Sequence, residues 1–312
     1  MAKVKDEVKD VVTGNPDDGL RGDLRGEVRE YEPLARHTSW RVGGPARRLY
    51  RPADADDLVV FLRRLDPSEP LLWLGLGSNL LVPDEGFPGT VIETQGCLGA
   101  IARRGPLGVY AQAGAACAKV ARFAARHDLV GVEFLAGIPG TMGGALAMNA
   151  GAWGGETWCF VSGVRTVDRT GVVRSRTPAD FQIGYREVRG AVGEWFLDAE
   201  LQLQPGDGAA GMEHIRSLLE QRARTQPTGL PSCGSVFRNP PGDHAARLIE
   251  AAGLKGARIG GAEVSRKHAN FIINTGEARA ADIAALVEHV RSEVERQTGV
   301  RLHPEFKSID DL

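Results

Sequence analysis

Apolar positions recur along the chain with two periods, and the switching between them predicts its elements. Between Asp54 and Leu65 (DADDLVVFLRRL) they fall at helical spacing, with acidic residues in the first turn, where the helix dipole favours them. Ala115–His127 repeats the pattern, with Val120, Phe123 and Ala124 on one face and Lys119, Arg122 and Arg126 opposite. Met212–Arg224, Asp243–Ala252 and Ala280–Thr298 are three further predicted helices. Short apolar runs bounded by turn residues predict strands at Leu71–Leu76, Thr90–Thr94, Val109–Ala113 and Asn270–Asn274. Val161–Asp168 and Val172–Ser175 flank Arg169-Thr-Gly and read as a hairpin, and Trp195–Leu203 alternates like a half-buried strand. His37–Gly44 (HTSWRVGG) reads as a strand closing on a glycine pair, Ser232–Pro240 as a loop with a short strand, and Val300–Ile309 as a final strand. Strands and helices mix without a regular βαβ beat, so the expected class is α+β. The polar residues Met1–Arg29 read as a short helix and loose lead-in, and Gln204-Pro-Gly-Asp-Gly208 as the best linker.

One stretch breaks both periods. Ala136–Ala152 (AGIPGTMGGALAMNAGA) is uncharged and dense in glycine and alanine. Glycine lets a bulky group lie on the backbone, and successive exposed N–H groups form nests for anions, phosphate above all. The alternatives are a packed loop with a buried helix, or a membrane span over Leu135–Trp153. Pro139, the glycine content and Glu133 at the entrance argue against the span.

Composition narrows the classes. A chain of 312 residues with 42% hydrophobic and 25% charged residues is an ordinary globular protein of two or three domains. A formal net charge of −2 argues against a general nucleic-acid or membrane-surface role. Forty glycines imply much backbone in turns and close approaches. MAKVKDEVKD lacks the apolar core of a leader peptide. Cys97, Cys117, Cys159 and Cys233 are scattered and read as reduced thiols of a cytosolic protein. The seven histidines form no HExxH or Cys/His cluster, so no metal is expected.

Candidate chemistry lies elsewhere. Gly75-Leu-Gly-Ser-Asn-Leu80 follows a strand but lacks the third glycine of GxGxxG, and neither GxxxxGK[ST] nor GxSxG is present. With the 136–152 stretch it makes two backbone-rich loops, which together point to a nucleotide cofactor gripped at its pyrophosphate. In PSCGSVFRNP, Ser235 follows a glycine and precedes Arg238 and Asn239. It reads as a turn serine, or as a hydroxyl whose alkoxide neighbouring cations stabilise. Gly184-Tyr-Arg-Glu187 sets an arginine beside an aromatic. LHPEFK places Glu305 and Lys307 on one strand face with Phe306 opposite. Val264–Phe271 (VSRKHANF) combines cations with an amide and suits an anionic, amide-bearing ligand or an ordinary polar loop.

These motifs together resemble the UDP-N-acetylenolpyruvoylglucosamine reductase family. The matching runs are HTSWRVGGPA, GLGSNLL, GTVIET, FLAGIPGTMGGALAMNAGAWGGE, FQIGYRE, PSCGSVFRNPPGDHAARLIEAAGLKGARIGGAEVSRKHANFIINTG and LHPEF, in the family's order across Glu30 to Ile309. Their compact spacing is similar to the subtype without an extra substrate-covering loop. The resemblance implies an α+β chain with a two-part FAD-binding region of the vanillyl-alcohol-oxidase (PCMH) type and a smaller α+β substrate-binding domain. Its implied division is a lead-in (1–29), FAD-binding subdomains (30–93 and 94–208), a substrate-binding domain (209–302) and a C-terminal strand returning to the flavin (303–312).

The implied reaction is NADPH-dependent reduction of UDP-N-acetylglucosamine enolpyruvate to UDP-N-acetylmuramate in peptidoglycan synthesis. Non-covalent FAD would take hydride from NADPH and give it to the enolpyruvyl β-carbon. By motif matching, Ser235 would protonate the α-carbon, while Arg186 and Glu305 would stabilise the enolic intermediate. Cofactor contacts would come from Arg41, Gly75, Gly77, Ser78, Asn79 and Leu80 on one side. On the other would stand Ile138, Pro139, Gly140, Thr141, Gly143 and Gly144, followed by Asn149 and Gly151. Tyr185, Trp153, Gln226, Arg238, Asn239, Lys267 and His268 would face substrate or NADPH. A cytoplasmic monomer is implied, with no nucleic-acid or membrane partner. Trp153 stands where the family has Tyr, which limits that contact to stacking, and Glu187-Val-Arg replaces the usual Ser and Phe after Arg186. An FAD oxidase of the same cofactor fold and a nucleotide-sugar-binding module are the competing functions.

Overall fold

The computed structural model describes residues 22–309, so most of the expected lead-in lies outside the described residues. The class is α+β, with strands and helices gathered around three sheets. The first sheet holds β1 (Glu27–Pro33), β2 (Pro45–Arg51), β3 (Leu71–Leu74) and β5 (Phe87–Glu93) in the order β1-β2-β5-β3, with the two-residue β4 (Leu80–Leu81) between β3 and β5 in the chain. β1 runs antiparallel to β2, while β2 and β3 run parallel to β5. Parallel pairing needs a crossover, and α1 (Ala55–Arg64) supplies one. Asp54 caps it by accepting from Asp57 N–H at 2.9 Å. Asp57 itself is buried, and takes Arg25 N–H at 2.8 Å, Ala53 N–H at 2.9 Å and the Tyr50 hydroxyl. Those donors hold it below the usual carboxylate range despite its burial.

The second sheet is antiparallel throughout. β6 (Ile101–Arg104), β7 (Gly108–Gln112), β8 (Val161–Asp168), β9 (Val173–Arg176) and β12 (Glu194–Gln202) lie in the order β9-β8-β12-β7-β6. A separate hairpin, β10 (Gln182–Gly184) and β11 (Glu187–Arg189), sits between β9 and β12 in the chain. The sheet's buried face, including Val109, Ala111, Val164, Ala199 and Leu201, packs on α2 (Cys117–Ala125), α3 (Met142–Ala147) and α4 (Gly208–Thr225). The glycine-rich stretch thus enters a three-ten turn (Glu133–Gly137) and then α3, both against this core. No described helix is long and apolar enough to cross a membrane.

The third unit carries α5 (Ala245–Ala251), the meander β13 (Arg258–Ile259), β14 (Ala262–Val264), β15 (Ile272–Asn274), and α6 (Ala280–Thr298). Its core is not its own. Trp40, Val42, Leu81 and Phe306 are buried in the same cluster as Ile249, Ile283 and Val290. Trp40 is fully buried, donates Nε1–H to Ile272 O at 2.8 Å, accepts Asn274 Nδ2–H at 2.9 Å, and meets Phe306 edge-on at 5.2 Å.

Three expected elements differ. His37–Gly44 is a loop, not a strand: Arg41 N–H returns to Thr38 O at 3.1 Å, Arg41 and Gly43 have φ of 58° and 117°, and burying Trp40 sets its path. Gln204–Gly208 is not a free linker. Gln204–Pro205 pairs with Leu129–Val130, and Asp207 caps α4. Of Val300–Ile309 only β16 (Lys307–Ser308) is strand, because Pro304 brings no N–H to a ladder and pairs with Phe237 in a lone bridge. Glu305 consequently turns inward while Lys307 stays exposed.

Replacing Trp40 by Ala opens a cavity in this shared core. It should cost about 3–5 kcal/mol of stability, measured as a drop in the urea midpoint.

Candidate active site

Two loops face each other at the junction of the three units. Gly77 adopts φ 64°, and a Cβ there would fall 2.0 Å from His37 O, so the Gly75–Leu81 turn can nest on the His37 loop only with glycine. At Gly75 a Cβ would lie 2.4 Å from Thr141 Oγ1, so this loop also touches the glycine-rich stretch directly. The N–H groups of Leu76, Gly77 and Ser78 donate to no other described residue. The glycine-rich stretch behaves differently. Ile138, Gly140, Met142 and Gly143 N–H donate to Leu135, Ile138, Ala115 and Ala113 carbonyls at 2.8–3.1 Å. Its glycines allow close packing, and the expected nest of free donors is largely spent inside the fold.

Between and beyond these loops lies a cleft of about 700 Å³, walled by Arg41, Leu76, Ser78, Pro139, Gln226 and Phe271 among others. His37 stands in its wall between two carboxylates, 2.8 Å from Glu93 Oε1 and 2.9 Å from Glu32 Oε1. The Glu93 bond most of all, then the Glu32 bond, raises the imidazole pKa against the opposing effect of burial.

A smaller cavity of about 160 Å³ adjoins it and shares Ser78, Pro139, Arg222, Gln226, Gly234 and Phe271. Arg186, Ser235 and Glu305 all line it. Arg186 sits in the two-residue turn between β10 and β11 at φ 54°, a left-handed conformation that a non-glycine side chain rarely adopts. Its Nη2 donates to Gly151 O at 2.6 Å, which ties it to the end of the glycine-rich stretch. Its Nε lies 3.0 Å from Glu305 Oε1, but the N–H is not aimed at that oxygen; the contact is an ion pair, not a hydrogen bond.

Glu305 is strung between two neighbours. Its N–H donates to Val236 O at 2.8 Å, and its carbonyl accepts Asn79 Nδ2–H at 3.2 Å. Burial raises its carboxyl pKa, opposed by Arg186 and then Arg238. Ser235 is fixed by the residues after it. Val236 N–H donates to Asn270 O at 2.9 Å, and the Asn270 side chain accepts from Phe237 N–H at 2.9 Å and donates to Phe237 O at 2.8 Å.

Known proteins with this architecture decide the family. Residues 226–309 match the family described as UDP-N-acetylenolpyruvoylglucosamine reductase, C-terminal domain, and residues 46–176 match the FAD binding domain family. The chain is 62% identical over 287 residues to the UDP-N-acetylenolpyruvoylglucosamine reductase of Methylococcus capsulatus, covering 92% of this chain and 94% of that one. It is 64% identical over 286 residues to that of Alkalilimnicola ehrlichii, covering 92% and 96%. The crystal structure of the Thermus caldophilus reductase superposes with a TM-score of 0.78 at 33% identity, covering 91% of this chain and 98% of that one. The chain belongs to the UDP-N-acetylenolpyruvoylglucosamine reductase family. It is therefore an FAD-dependent oxidoreductase of peptidoglycan precursor synthesis that reduces the enolpyruvyl UDP-sugar with NADPH.

The cleft of this reductase fits such a cofactor. Ser39 Oγ is buried without a hydrogen-bond partner at its wall, and Arg36, Arg41 and Arg51 line it; Thr141 Oγ1, buried and likewise unpartnered, lies beside Gly75 and lines neither cavity. Of the residues expected to touch the cofactor, Arg41, Ser78, Asn79, Ile138, Pro139 and Gly151 line one cavity or both. Gly75, Gly77, Gly140, Gly143 and Gly144 shape the loops from behind, and the Leu80 side chain is buried in core. Asn149 lines neither cavity. It is 1% exposed at φ 45°, its Nδ2 donates to Glu156 Oε2 at 2.9 Å and Gly184 O at 3.1 Å, and its Oδ1 accepts Trp158 N–H at 3.1 Å. Its side chain is spent joining the stretch to the hairpin that carries Arg186.

Of the expected substrate residues, Gln226 lines both cavities, while Tyr185 and Trp153 are exposed and line neither. The Trp153 ring lies over Gly137, where a Cβ would fall 2.2 Å from Cζ3. Arg238 Nη2 reaches Arg186 O at 3.4 Å. Asn239 Oδ1 accepts Ala245 N–H at 3.1 Å at the start of α5. Lys267 Nζ donates to Ala223 O, and His268 Nδ1 accepts Asn270 N–H at 3.3 Å. The amide of VSRKHANF, Asn270, holds the Ser235 segment and not a ligand. Sequence reasoning missed Glu156 and Asn270 as supports and Arg222 as a lining cation. The last had a signal, an arginine at the end of an amphipathic helix before Gln226-Pro.

Two outcomes test this geometry. Asn149→Asp sets a carboxylate against Glu156 and the Gly184 carbonyl in a buried place; it should cost about 3 kcal/mol, and adding Glu156→Gln should recover part of that in thermal unfolding. Glu305 titrates in the unfolded chain near its ordinary value of about 4.3, and later in the folded protein. Stability therefore falls as pH rises from that value through the raised one. Glu305→Gln removes the penalty, so its melting temperature should exceed wild type at pH 7 and converge with it near pH 4.

Proposed function

We propose that Arg186, Ser235 and Glu305 carry the enolpyruvyl half of the reaction. One observation supports this reading most: three residues far apart in sequence line one cavity of about 160 Å³ that opens on the cofactor cleft. The chemistry supplied by bound FAD is hydride transfer, from NADPH and then to the enolpyruvyl β-carbon. Leu76–Ser78 with its free N–H groups, Ser39, Arg41 and Pro139 would hold the cofactor.

The chain's own groups then do three things. The Arg186 guanidinium pairs with the substrate carboxylate, onto which negative charge spreads as the β-carbon is reduced. The Glu305 carboxyl, whose pKa burial raises against the pull of Arg186, donates a hydrogen bond to the same carboxylate once it has taken up a proton. The Ser235 hydroxyl gives its proton to the α-carbon. A carbanion-like carbon is basic enough to accept from a weak acid, and the nearby cations Arg186 and Arg238 steady the alkoxide left behind. The Arg186 backbone is held at φ 54° by the surrounding structure, and the tie to Gly151 O fixes the side chain's orientation.

On this reading the chain acts as a cytoplasmic monomer, consistent with four free cysteines. It divides into FAD-binding units at 30–93 and 94–208, a substrate unit at 209–302 whose first helix, α4, packs on the second sheet, and a returning segment after 303.

Stopped-flow absorbance on Ser235→Ala separates the half-reactions. NADPH should bleach its flavin at close to the wild-type rate. Reoxidation by UDP-N-acetylglucosamine enolpyruvate should slow by about 10² or more. Near-normal reoxidation would remove Ser235 from the proton-donor role.

A further inference from the structure

Arg222 is a half-buried cation that nothing above employs. It lies near the C-terminal end of α4, and its Nε donates to Gln226 Oε1 at 3.0 Å. Among the described residues no carboxylate pairs with it, whereas Arg51 in the same cleft is held 2.9 Å from Glu93 and Arg186 3.0 Å from Glu305. Its terminal nitrogens hydrogen-bond to no described residue. Burial, with no facing anion to offset it, lowers the guanidinium pKa. Arg222 lines the large cleft and the small cavity alike, so it stands where the two meet.

A half-buried charge costs more without a partner than with one, and natural proteins mostly pair the charges that burial reaches. An amide or an apolar residue here would keep the helix end without that cost. No described residue supplies the missing partner, which points to a ligand that enters the cavities. We propose that Arg222 is an anion-binding residue at the junction of the two cavities, its charge answered by an oxyanion that a bound nucleotide carries in. The planar fork of the guanidinium suits phosphoryl oxygens in particular, and Gln226, accepting from Nε, fixes its orientation. The inference rests on the reading that these cavities take FAD and a UDP-sugar. Both carry diphosphate oxygens, so the two sources share one chemistry and separate binding measurements tell them apart.

The experiment compares wild type with Arg222→Met and Arg222→Lys, each as cofactor-free protein. FAD is titrated into one set and UDP into another by calorimetry, and the melting temperature of each ligand-free protein is recorded. Arg222→Met should weaken one ligand at least tenfold, Arg222→Lys should recover part of the loss, and the ligand-free Arg222→Met protein should melt no lower than wild type. Loss of FAD affinity alone assigns the anion to the cofactor, and loss of UDP affinity alone assigns it to the substrate. Both ligands binding within twofold of wild type overturns the proposal. So does a lower ligand-free melting temperature, which makes Arg222 a structural residue. If wild type takes up neither FAD nor UDP, it is the nucleotide reading of the cavities that fails.

Discussion

A single extended segment, Pro304–Ser308, holds the active site together. Its backbone is hydrogen-bonded on both sides, Glu305 N–H to Val236 O and Lys307 N–H to Asn79 O, while β16 lies parallel to β4. One side of that seam belongs to the Ser235 segment and the other to the Gly75–Leu81 turn. Removing the segment would leave the Gly75–Leu81 turn and Ser235 with no common frame. Phe306 points the other way, into the core it shares with Trp40, so the same few residues lock the third unit onto the first.

Around that seam the molecule carries several unfavourable features at one place. Arg186 adopts a left-handed backbone, Glu305 is buried with a raised pKa, and Arg222 has no anion facing it among the described residues. Each lowers stability, and each faces the same pair of connected cavities. Their concentration there is what a site built for an anionic substrate requires, since groups oriented and desolvated in advance need not reorganise during reaction. The surrounding structure bears the load. Asn149 ties the Arg186 hairpin to the glycine-rich stretch, and Asn270 clamps the chain after Ser235. These two amides look alike in sequence to ligand contacts, and only their three-dimensional partners separate the roles.

Much of the architecture was legible from the pattern of side chains. The long helices and the hairpin at Arg169-Thr-Gly bury faces that their periodicity marks, because amphipathic spacing reports local geometry directly. The His37–Gly44 loop and the C-terminal segment were not legible as what they are. Both owe their path to one aromatic, Trp40 or Phe306, burying itself in a unit distant in sequence, and no local propensity carries that information. The glycine-rich stretch falls between the two cases. Its need for close packing is visible in composition, while the spending of its N–H groups on Ala113, Ala115 and Leu135 depends on what folds over it.

By itself the sequence determined the class, the helices, the two backbone-rich loops and, through the order of its motifs, the reductase family. Those properties follow from neighbours a few residues apart or from motif identity. The tertiary structure alone decided that Arg186, Ser235 and Glu305 share a cavity, that Asn149 and Asn270 are braces, and that no described carboxylate faces Arg222. The physical reason is that pairing, burial and charge compensation belong to contacts between segments that the chain keeps more than thirty residues apart, and only folding brings them together.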